Sequence, residues 1–420
     1  MSRGTRRFWS YTRAALSRVA SDAWRVLTEE PGAGEERAEQ AASAIMVDDA
    51  SQMRGGMAKV AQLMGYLEGP GAAVDGAARR TLGASWDALA AMGQAEIVAV
   101  VDSELGAGRF TEFSSTPLAA ASLGQVHTAT TADAPGQTWA VKVQYPGVDA
   151  ALTDDLSSGM LMKRLAGSDV GGALPAASVT ALREAILAEL DYRREAELTE
   201  TFGRAFGGDA SIVVPSVRRD LSTGKILTTS LLRGERLALV VDAPEAVRAR
   251  VALTLFRFAY GAPLQHGLCN ADPNPGNYLV MDRDVGRVGF LDYGCAVVLD
   301  EALVVEEKKL WRAALSGEGE DFRMAVFGEG LLAQKKILTS TTYREWEKYV
   351  VGPFRRDSFH WTPTYAAKLA RLTSTLVQAG GLTLPPHALL LWRQRIGVAA
   401  VIGSLNPTAD FRAALKNILG

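Results

Sequence analysis

Residues 270–294 read NADPNPGNYLVMDRDVGRVGFLDYG, and this stretch contains the residues that decide the fold. Its opening prolines and glycine exclude a helix. Tyr278–Met281 and Arg287–Leu291 are rich in apolar residues and flank a turn, so they predict a β-hairpin. An aspartate stands at each end of the hairpin, Asp272 before it and Asp292 after it. We therefore expect two loops bearing carboxylates to meet beside one hairpin.

The oxygen-bearing side chains around this hairpin suit phosphoryl transfer. Asp272 and Asn277 lie five residues apart, and Asp292 opens an Asp-Tyr-Gly triplet. Protein kinases use this order, in which one aspartate orients the attacking hydroxyl while an asparagine and a second aspartate hold Mg²⁺. Because Mg²⁺ prefers oxygen ligands, Asn277 and Asp292 are the predicted metal ligands. Asp272 is the predicted catalytic residue.

A strand lysine and a small-residue loop lie upstream of the hairpin. Residues 139–145 alternate, which predicts a strand with Trp139 and Val141 on its apolar face and Lys142 on the other face. Small side chains before this strand would let backbone N–H groups approach phosphates. Lys142 is therefore predicted to take part in catalysis and nucleotide binding. The predicted loop contacts to the nucleotide are Ala119, Ala120, Ala121, Ser122, Gly124 and Gln125.

A kinase-type cleft also needs a helix-borne glutamate that pairs with the strand lysine. The apolar stripe over Val179–Phe206 predicts one continuous helix, and this helix carries Glu189, Asp191 and Glu195. Asp191 and Glu195 are four apart and would share a face of a regular helix. Glu195 is the favoured partner of Lys142, and the other acids are left for a different partner.

The N-terminal region differs in composition from the rest of the chain. Residues 1–28 form a basic, aromatic arm without the features of a secretory signal, and residues 29–50 form an acidic linker. The arm could lie on an anionic membrane surface or pack on the protein's own body. A helical pattern follows from Met53, and it places Lys59 and Gln62 on one face.

Composition excludes several classes of protein. Apolar residues make up 48% of the 420 residues, and 45 Lys and Arg stand against 47 Asp and Glu. This composition excludes a disordered, collagen-like or nucleic-acid-coating chain. Two cysteines exclude a disulfide framework and a four-thiolate zinc site, so a reducing compartment is expected. Arg393 and Arg395 interrupt the most apolar run, so no transmembrane helix is predicted. The expected location is the cytoplasm, with peripheral contact at the inner face of a membrane as the alternative.

The motifs together resemble the UbiB/AarF family of atypical protein-kinase-like ATPases. The motifs that carry the resemblance are the alanine-rich AAASLGQVH at 119–127, Val141-Lys142, Glu189-Leu190-Asp191, Asp272 to Asn277, Asp292-Tyr293-Gly294 and, for the family's Lys-x-Gly-Gln, Lys59-Val60-Ala61-Gln62. The resemblance covers about residues 50 to 300.

The resemblance implies an α+β, protein-kinase-like bilobal fold with a small β-containing N-lobe, an N-terminal helical extension and a large helical C-lobe. The implied division is 1–50 for arm and linker, 51–108 for the extension, 109–232 for the N-lobe and 233–420 for the C-lobe. Lys59 and Gln62 would lie across the cleft as a regulatory motif, with Glu189 or Asp191 paired to Lys59.

The resemblance also implies ATP, or ADP, with Mg²⁺ as cofactors, and an ATPase linked to quinone or other isoprenoid-lipid biosynthesis. The implied partners are a prenyl lipid or quinone precursor and quinone-biosynthesis enzymes at a membrane.

Three positions depart from the family pattern. Ala61 replaces a glycine, while Asn270 and Asn274 stand where the family has histidines around the catalytic aspartate. An asparagine forms hydrogen bonds but cannot titrate, so a histidine proton shuttle is lost there. These departures favour one alternative, a nucleotide-gated pseudokinase or lipid-binding scaffold with little turnover. A second alternative is a small-molecule phosphotransferase, which uses the same Asp and Asn spacing.

Overall fold

The computed structural model describes residues 93–121, 123–157, 176–317, 319–332 and 335–420. The basic arm, the acidic linker, Lys59 and Gln62 lie outside these residues, as does Ser122.

An antiparallel sheet forms the N-terminal part of the described chain. Its strands are β1 (Glu112–Phe113), β2 (Ala119–Ala121), β3 (Gly124–Thr130), β4 (Trp139–Gln144) and β6 (Ile226–Ser230). They follow the order β1-β3-β4-β6, and β2 also pairs with β3. Val141 and Val143 are fully buried while Lys142 points to the other face, as the alternation predicts. Because β2 pairs antiparallel with β3, the alanines Ala119–Ala121 form the first strand of a β2-β3 hairpin.

A second sheet carries the hairpin that the sequence predicts. It contains β5 (Ile212–Val213), β7 (Glu235–Arg236), β9 (Tyr278–Asp282) and β10 (Arg287–Phe290) in the order β5-β10-β9-β7. Two further antiparallel pairs join β8 (Leu268–Asn270) to β11 (Ala296–Val298) and β12 (Phe359–His360) to β13 (Thr408–Ala409). Because Asn270 pairs with Ala296 in the first of these, the Asp272 loop and the Asp292 loop leave neighbouring strands.

Helices make up most of the remaining described chain. They are α1 (Gln94–Leu105), α2 (Val148–Ser157), α3 (Ala176–Ala188), α4 (Tyr192–Phe206), α5 (Glu245–His266), α6 (Glu301–Ser316), α7 (Gly319–Gly328), α8 (Thr341–Val351), α9 (Pro363–Gln378), α10 (Pro386–Leu405) and α11 (Phe411–Leu419). Short 3-10 helices are present at Arg219–Leu221, Leu237–Val240, Pro275–Asn277, Lys335–Thr339 and Gly352–Phe354.

The two larger hydrophobic cores of the described chain follow its division into an N-terminal sheet and a helical part. The smaller one lies on the N-terminal sheet, where Ile97 and Val101 of α1 pack with Val141 and Val143 of β4. The larger one joins the helical part and includes Phe202 of α4 as well as the centre of α5. The predicted α+β class, with an antiparallel N-terminal sheet and a helical C-terminal part, is confirmed. The domain boundaries at 108 and 232 stay a prediction.

The single helix predicted over Val179–Phe206 is wrong, because the structure breaks it into α3 and α4 at residues 189–191. Asp191 adopts an extended conformation and accepts a hydrogen bond from the backbone N–H of Arg193 at 3.0 Å, which caps α4. Aspartate at an N-cap satisfies a donor that a helix end leaves free. Apolar spacing continued across the break, so periodicity alone did not reveal it.

Helix α10 combines length and apolar character more than any other described helix. Length and mean hydropathy alone would let Pro386–Leu405 cross a membrane, but 83% of its most apolar window is buried inside the protein. Both arginines that interrupt it, Arg393 and Arg395, are buried as well. Helix α10 is thus a core helix of this fold. The burial of the helix is the stronger argument, because the two arginines are themselves buried in the core.

Candidate functional site

Lys142 lies at the centre of the candidate site. Its Nζ is 2.9 Å from both carboxylate oxygens of Glu195 and 3.3 Å from Oδ2 of Asp292. Only 13% of the lysine side chain and 3% of the Glu195 side chain are exposed. Because Lys142 belongs to β4, Glu195 to α4 and Asp292 to the loop after β10, one ammonium group joins the N-terminal sheet to the helical part.

Burial and charge act against each other in this group. Burial disfavours the charged lysine, but the attraction of Asp292 and Glu195 outweighs it, so the pKa of Lys142 is raised well above its usual range. Burial likewise raises the pKa of Glu195 to about 7, although Lys142 pulls it down. The cap at Asp191 places Glu195 in the first turn of α4, where the helix dipole favours an acid.

The Asp272 loop is held to the Asp292 loop by Asn270, one of the positions that depart from the pattern of the resembled family. The Nδ2 of Asn270 donates to the carbonyl oxygen of Asp292 at 2.8 Å, and its Oδ1 accepts the N–H of Asp272 at 3.2 Å. Asn274 has a local role, since its side chain accepts the N–H of Gly276 at 2.9 Å. Both asparagines therefore shape the loop through hydrogen bonds that need no titration.

Asp272 lies deep in the helical part, with 4% of its side chain exposed. The Nδ2 of Asn277 donates to its Oδ2 at 3.2 Å. On the other side, Nη2 of Arg393 lies 3.3 Å from its Oδ1. Arg393 comes from α10 and was not predicted as a site residue. The sequence signal for it was a charged group inside an otherwise apolar run.

Asp292 is more accessible than Glu195 and Asp272, with 27% of its side chain exposed. Its Oδ1 accepts the N–H of Gly294 at 2.9 Å. The hairpin brings Asn277 beside it, because the N–H of Leu291 donates to the carbonyl oxygen of Asn277 at 3.0 Å. A side chain at residue 294 would contact Asp292 Oδ1 at 3.3 Å and Glu195 Oε2 at 3.5 Å, so the glycine keeps this space open.

The donor set at this position suits Mg²⁺. Asn277 and Asp292 contribute an amide oxygen and carboxylate oxygens, the hard ligands that this ion takes. Within the described residues no group of three or more His, Cys, Asp or Glu could hold a metal by itself. A small protein ligand set is typical of Mg²⁺ sites that are completed by substrate phosphates and water. Asn277 and Asp292 would therefore hold the ion together with a nucleotide.

The small-residue hairpin is built by a close approach of two strands. A Cβ on Gly124 would overlap the carbonyl oxygen of Val143 and lie 2.8 Å from its carbonyl carbon, so only glycine fits there. Ala119 and Ala120 are exposed, and Ala121 is half-buried. Gln125 is buried, and its Oε1 lies 3.4 Å from Nε2 of His127.

Glu189 and Asp191 have different surroundings, although the sequence groups them in one motif. Glu189 is buried, and the Sγ of Cys295 donates to its Oε1 at 2.6 Å. The same sulfur lies 3.6 Å from Nη1 of Arg393. Asp191 is exposed and caps α4. Glu189 thus belongs to a buried group with Cys295, Arg393 and Asp272, while Asp191 lies apart from it.

The comparisons with known proteins agree with this geometry. The family model of the ABC1 atypical kinase-like domain matches residues 86–324, more than half of the chain. The chain is 28% identical to a Schizosaccharomyces pombe protein named "Atypical kinase COQ8, mitochondrial", over 64% of this chain and 44% of that protein. It is 32% identical to "Protein ACTIVITY OF BC1 COMPLEX KINASE 3, chloroplastic" of Arabidopsis thaliana, over 50% of this chain and 30% of that protein. The matches span less than half the length of these two relatives.

One solved structure is similar over nearly the whole chain. It is described as the complex structure of Rv3197-erythromycin from Mycobacterium tuberculosis, and it superposes with a TM-score of 0.64 at 27% sequence identity. The superposition covers 91% of this chain and 96% of that chain. The fold described above is therefore shared with a natural protein across both the sheet and the helical part.

Proposed function

The chain belongs to the ABC1 atypical kinase-like family, and we propose on that premise that it binds Mg-ATP and hydrolyses it or transfers its terminal phosphoryl group. Its role would be to support quinone or other isoprenoid-lipid biosynthesis at a membrane surface. The observation that carries the proposal is the position of Lys142, within 3.3 Å of both Glu195 and Asp292. In kinases the lysine-glutamate pair and the metal-binding aspartate must be in place together.

Each site residue then has a defined role. Lys142, held by Glu195, would bind the nucleotide phosphates, and the β2-β3 hairpin would cover them. Asp272 would orient an attacking hydroxyl or water with its Oδ2, while Arg393 holds its Oδ1. Asn277 and Asp292 would hold Mg²⁺, which supplies charge neutralisation for the phosphates when bound.

The phosphoryl acceptor is less closely defined than the nucleotide. The resemblance of the motifs to the UbiB/AarF family supports a prenyl lipid or quinone precursor. The M. tuberculosis relative is described as a complex with erythromycin, a large hydroxylated molecule. A hydroxylated compound of this kind is therefore a second candidate for the phosphoryl acceptor. Water remains the acceptor if the protein acts as an ATPase.

A second candidate is a nucleotide-gated binding protein with little turnover. The observation that favours it is the burial of Asp272, which has 4% of its side chain exposed and is ion-paired to Arg393. A phosphoryl acceptor must displace Arg393 from Oδ1 of Asp272 or approach Oδ2, which accepts from Asn277. Under this candidate, ATP or ADP would stabilise one conformation and phosphoryl transfer would be negligible.

The test is Mg-dependent ATP hydrolysis by the wild type, Asp292→Ala and Asp272→Asn, each with and without anionic liposomes that contain a prenylphenol. Loss of a general base typically costs about 10² to 10⁴ in rate, and we expect Asp272→Asn to fall in that range. Asp284→Ala is the matched control, because Asp284 is exposed in the turn of the same hairpin.

Nucleotide binding is measured in parallel as the rise in melting temperature with Mg-ADP. Hydrolysis that depends on Asp272 and Asp292 and rises with the liposomes supports the first candidate. Hydrolysis by the wild type no faster than by Asp272→Asn, with nucleotide binding retained, would reject it in favour of the second.

A further inference from the structure

A cationic groove lies in the helical part of the protein and shares no lining residue with the candidate nucleotide site. It has a volume of about 740 Å³ and is formed by α7, α8 and the segment between α8 and the start of α9. Its cationic lining residues, here called the groove cations, are Arg323, Arg344, Lys348, Arg355 and Arg356.

The groove cations are poorly neutralised by the protein itself. The lining includes one carboxylate, Glu347, and its Oε2 accepts from Nε of Arg323 at 3.0 Å. Two nearby acids are engaged elsewhere, since Glu345 pairs with Lys368 and Asp357 pairs with Arg412. The groove therefore has a clear excess of positive charge.

Three of the groove cations are exposed and have no acidic partner among the described residues. Within the described residues, no carboxylate lies within 4.0 Å of Arg344, Lys348 or Arg356, all of which are exposed. Arg344 and Lys348 are four residues apart on α8 and so share a face, where like charges repel and destabilise a helix. An anion bound between them would remove this repulsion.

The wall of the groove is aromatic and closely packed. The rings of Tyr349 and Tyr365 stack at 4.9 Å, and Phe359 meets Tyr365 edge-on at 4.9 Å. The Tyr365 hydroxyl donates to the carbonyl oxygen of Tyr349. A Cβ on Gly352 would lie 2.8 Å from this hydroxyl, so the wall is packed directly against the backbone. The cations are thus presented beside a fixed apolar surface.

We propose that this groove binds a phosphate- or diphosphate-bearing ligand at a site separate from the nucleotide cleft. Arginine presents a planar fork of donors that matches phosphate oxygens, and lysine adds a point charge. Two exposed arginines and a lysine, without acidic partners among the described residues, line the groove and supply this chemistry, and the aromatic residues accommodate an apolar substituent. The phosphate could come from a small soluble molecule or from a lipid headgroup.

The test compares the wild-type 420-residue chain with the double variant Arg344→Gln/Lys348→Gln. The control is Arg371→Gln/Lys416→Gln, which removes the same charge from two exposed positions outside the groove. Inorganic pyrophosphate is titrated by calorimetry at fixed salt. Because the groove variant loses charge-assisted hydrogen bonds to the phosphate oxygens, we expect it to lose at least about tenfold in pyrophosphate affinity.

Affinity for ADP is measured in all three proteins, because pyrophosphate could also enter the nucleotide cleft. The proposal requires that the groove variant keep the tight ADP binding of the nucleotide cleft, while any weaker ADP binding through the groove is lost. A melting temperature close to that of the wild type shows that the variant is folded, and Arg356→Gln provides a second, single-charge test. An equal pyrophosphate affinity in wild type and groove variant would overturn the proposal for a soluble phosphate compound.

A second arm identifies the source of the phosphate. Flotation is measured with vesicles of phosphatidylcholine alone and with added phosphatidic acid, and every protein carries the same N-terminal basic arm. Binding to phosphatidic acid that is lost in the groove variant and kept in the control assigns the site to a lipid headgroup. Pyrophosphate binding through the groove without such vesicle binding assigns it to a soluble phosphate compound. Failure of both arms refutes the site and leaves the proposed ATPase activity untouched.

Discussion

Replacing Arg393 by methionine is expected to destabilise the protein and to misplace Asp272. Arg393 Nη2 lies 3.3 Å from Asp272 Oδ1, and their side chains are 1% and 4% exposed. Water therefore cannot screen the carboxylate once the guanidinium is gone. Methionine fills most of the space left by the arginine and removes only its charge and its donors.

The expected magnitude follows from this distance and burial. With an effective dielectric constant near 20, opposite charges 3.3 Å apart attract by about 5 kcal/mol. Removing one partner of a buried ion pair typically costs about 3 to 5 kcal/mol. We therefore expect Arg393→Met to lower the free energy of unfolding by about 3 kcal/mol or more. Arg371→Met, an exposed arginine on α9, should change it by less than about 0.5 kcal/mol.

The assay is a double-mutant cycle followed by urea unfolding of the nucleotide-free protein. Asp272→Asn and Arg393→Met are measured singly and together. The double variant contains neither of the two charges, so no buried charge is left without its partner. Its loss of stability should therefore be smaller than the sum of the single losses by about 1 to 3 kcal/mol. The rate of ATP hydrolysis by Arg393→Lys, which keeps the charge, separates loss of charge from loss of geometry. Additive losses, or a single loss near that of Arg371→Met, would refute the reasoning.

Two other predictions concern pH and backbone packing. Because the pKa of Glu195 is raised to about 7 in the folded protein, the folded state binds more protons between about pH 4.5 and 7, and Glu195 should make stability fall as pH rises through that window. ATP hydrolysis should rise over the same window, because Glu195 ionises and then holds Lys142. If the stability of Glu195→Gln changed with pH in parallel with that of the wild type, Glu195 would not be the titrating group. Gly124→Ala would force a Cβ to within 2.8 Å of a backbone carbon of Val143, so it should lower the melting temperature and weaken nucleotide binding. Gly208→Ala, where no atom lies within 4 Å, is the control, and equal effects of the two changes would be evidence against the close approach.

Several elements of the fold could be predicted because the information is local. Alternation over residues 139–145 placed Lys142 opposite the buried Val141 and Val143. The turn between Tyr278–Met281 and Arg287–Leu291 produced the hairpin β9-β10. The family assignment also rests on local motifs, and the family match confirms it.

Other features depend on contacts between distant residues and could not be read from spacing. The break at residues 189–191 is stabilised by a cap and by the N–H of Tyr192, which donates to the carbonyl oxygen of Gly224 at 3.0 Å. Arg393 reaches Asp272 across 121 positions. In the sequence it was only one of the charges that interrupt the most apolar run. Its burial against a carboxylate depends on the placement of α10.

The sequence by itself determined the chemistry available to this protein: the lysine strand, the acid-bearing helix, and the carboxylates and asparagine around one hairpin. These follow from residue type and from short periods of two or about 3.6 residues, which local backbone geometry imposes. The tertiary structure decided which acid meets Lys142, that Asp272 is buried against Arg393, and that five groove cations line one groove. The physical reason is that burial and ion pairing depend on how helices pack, and residues far apart in the chain determine that packing.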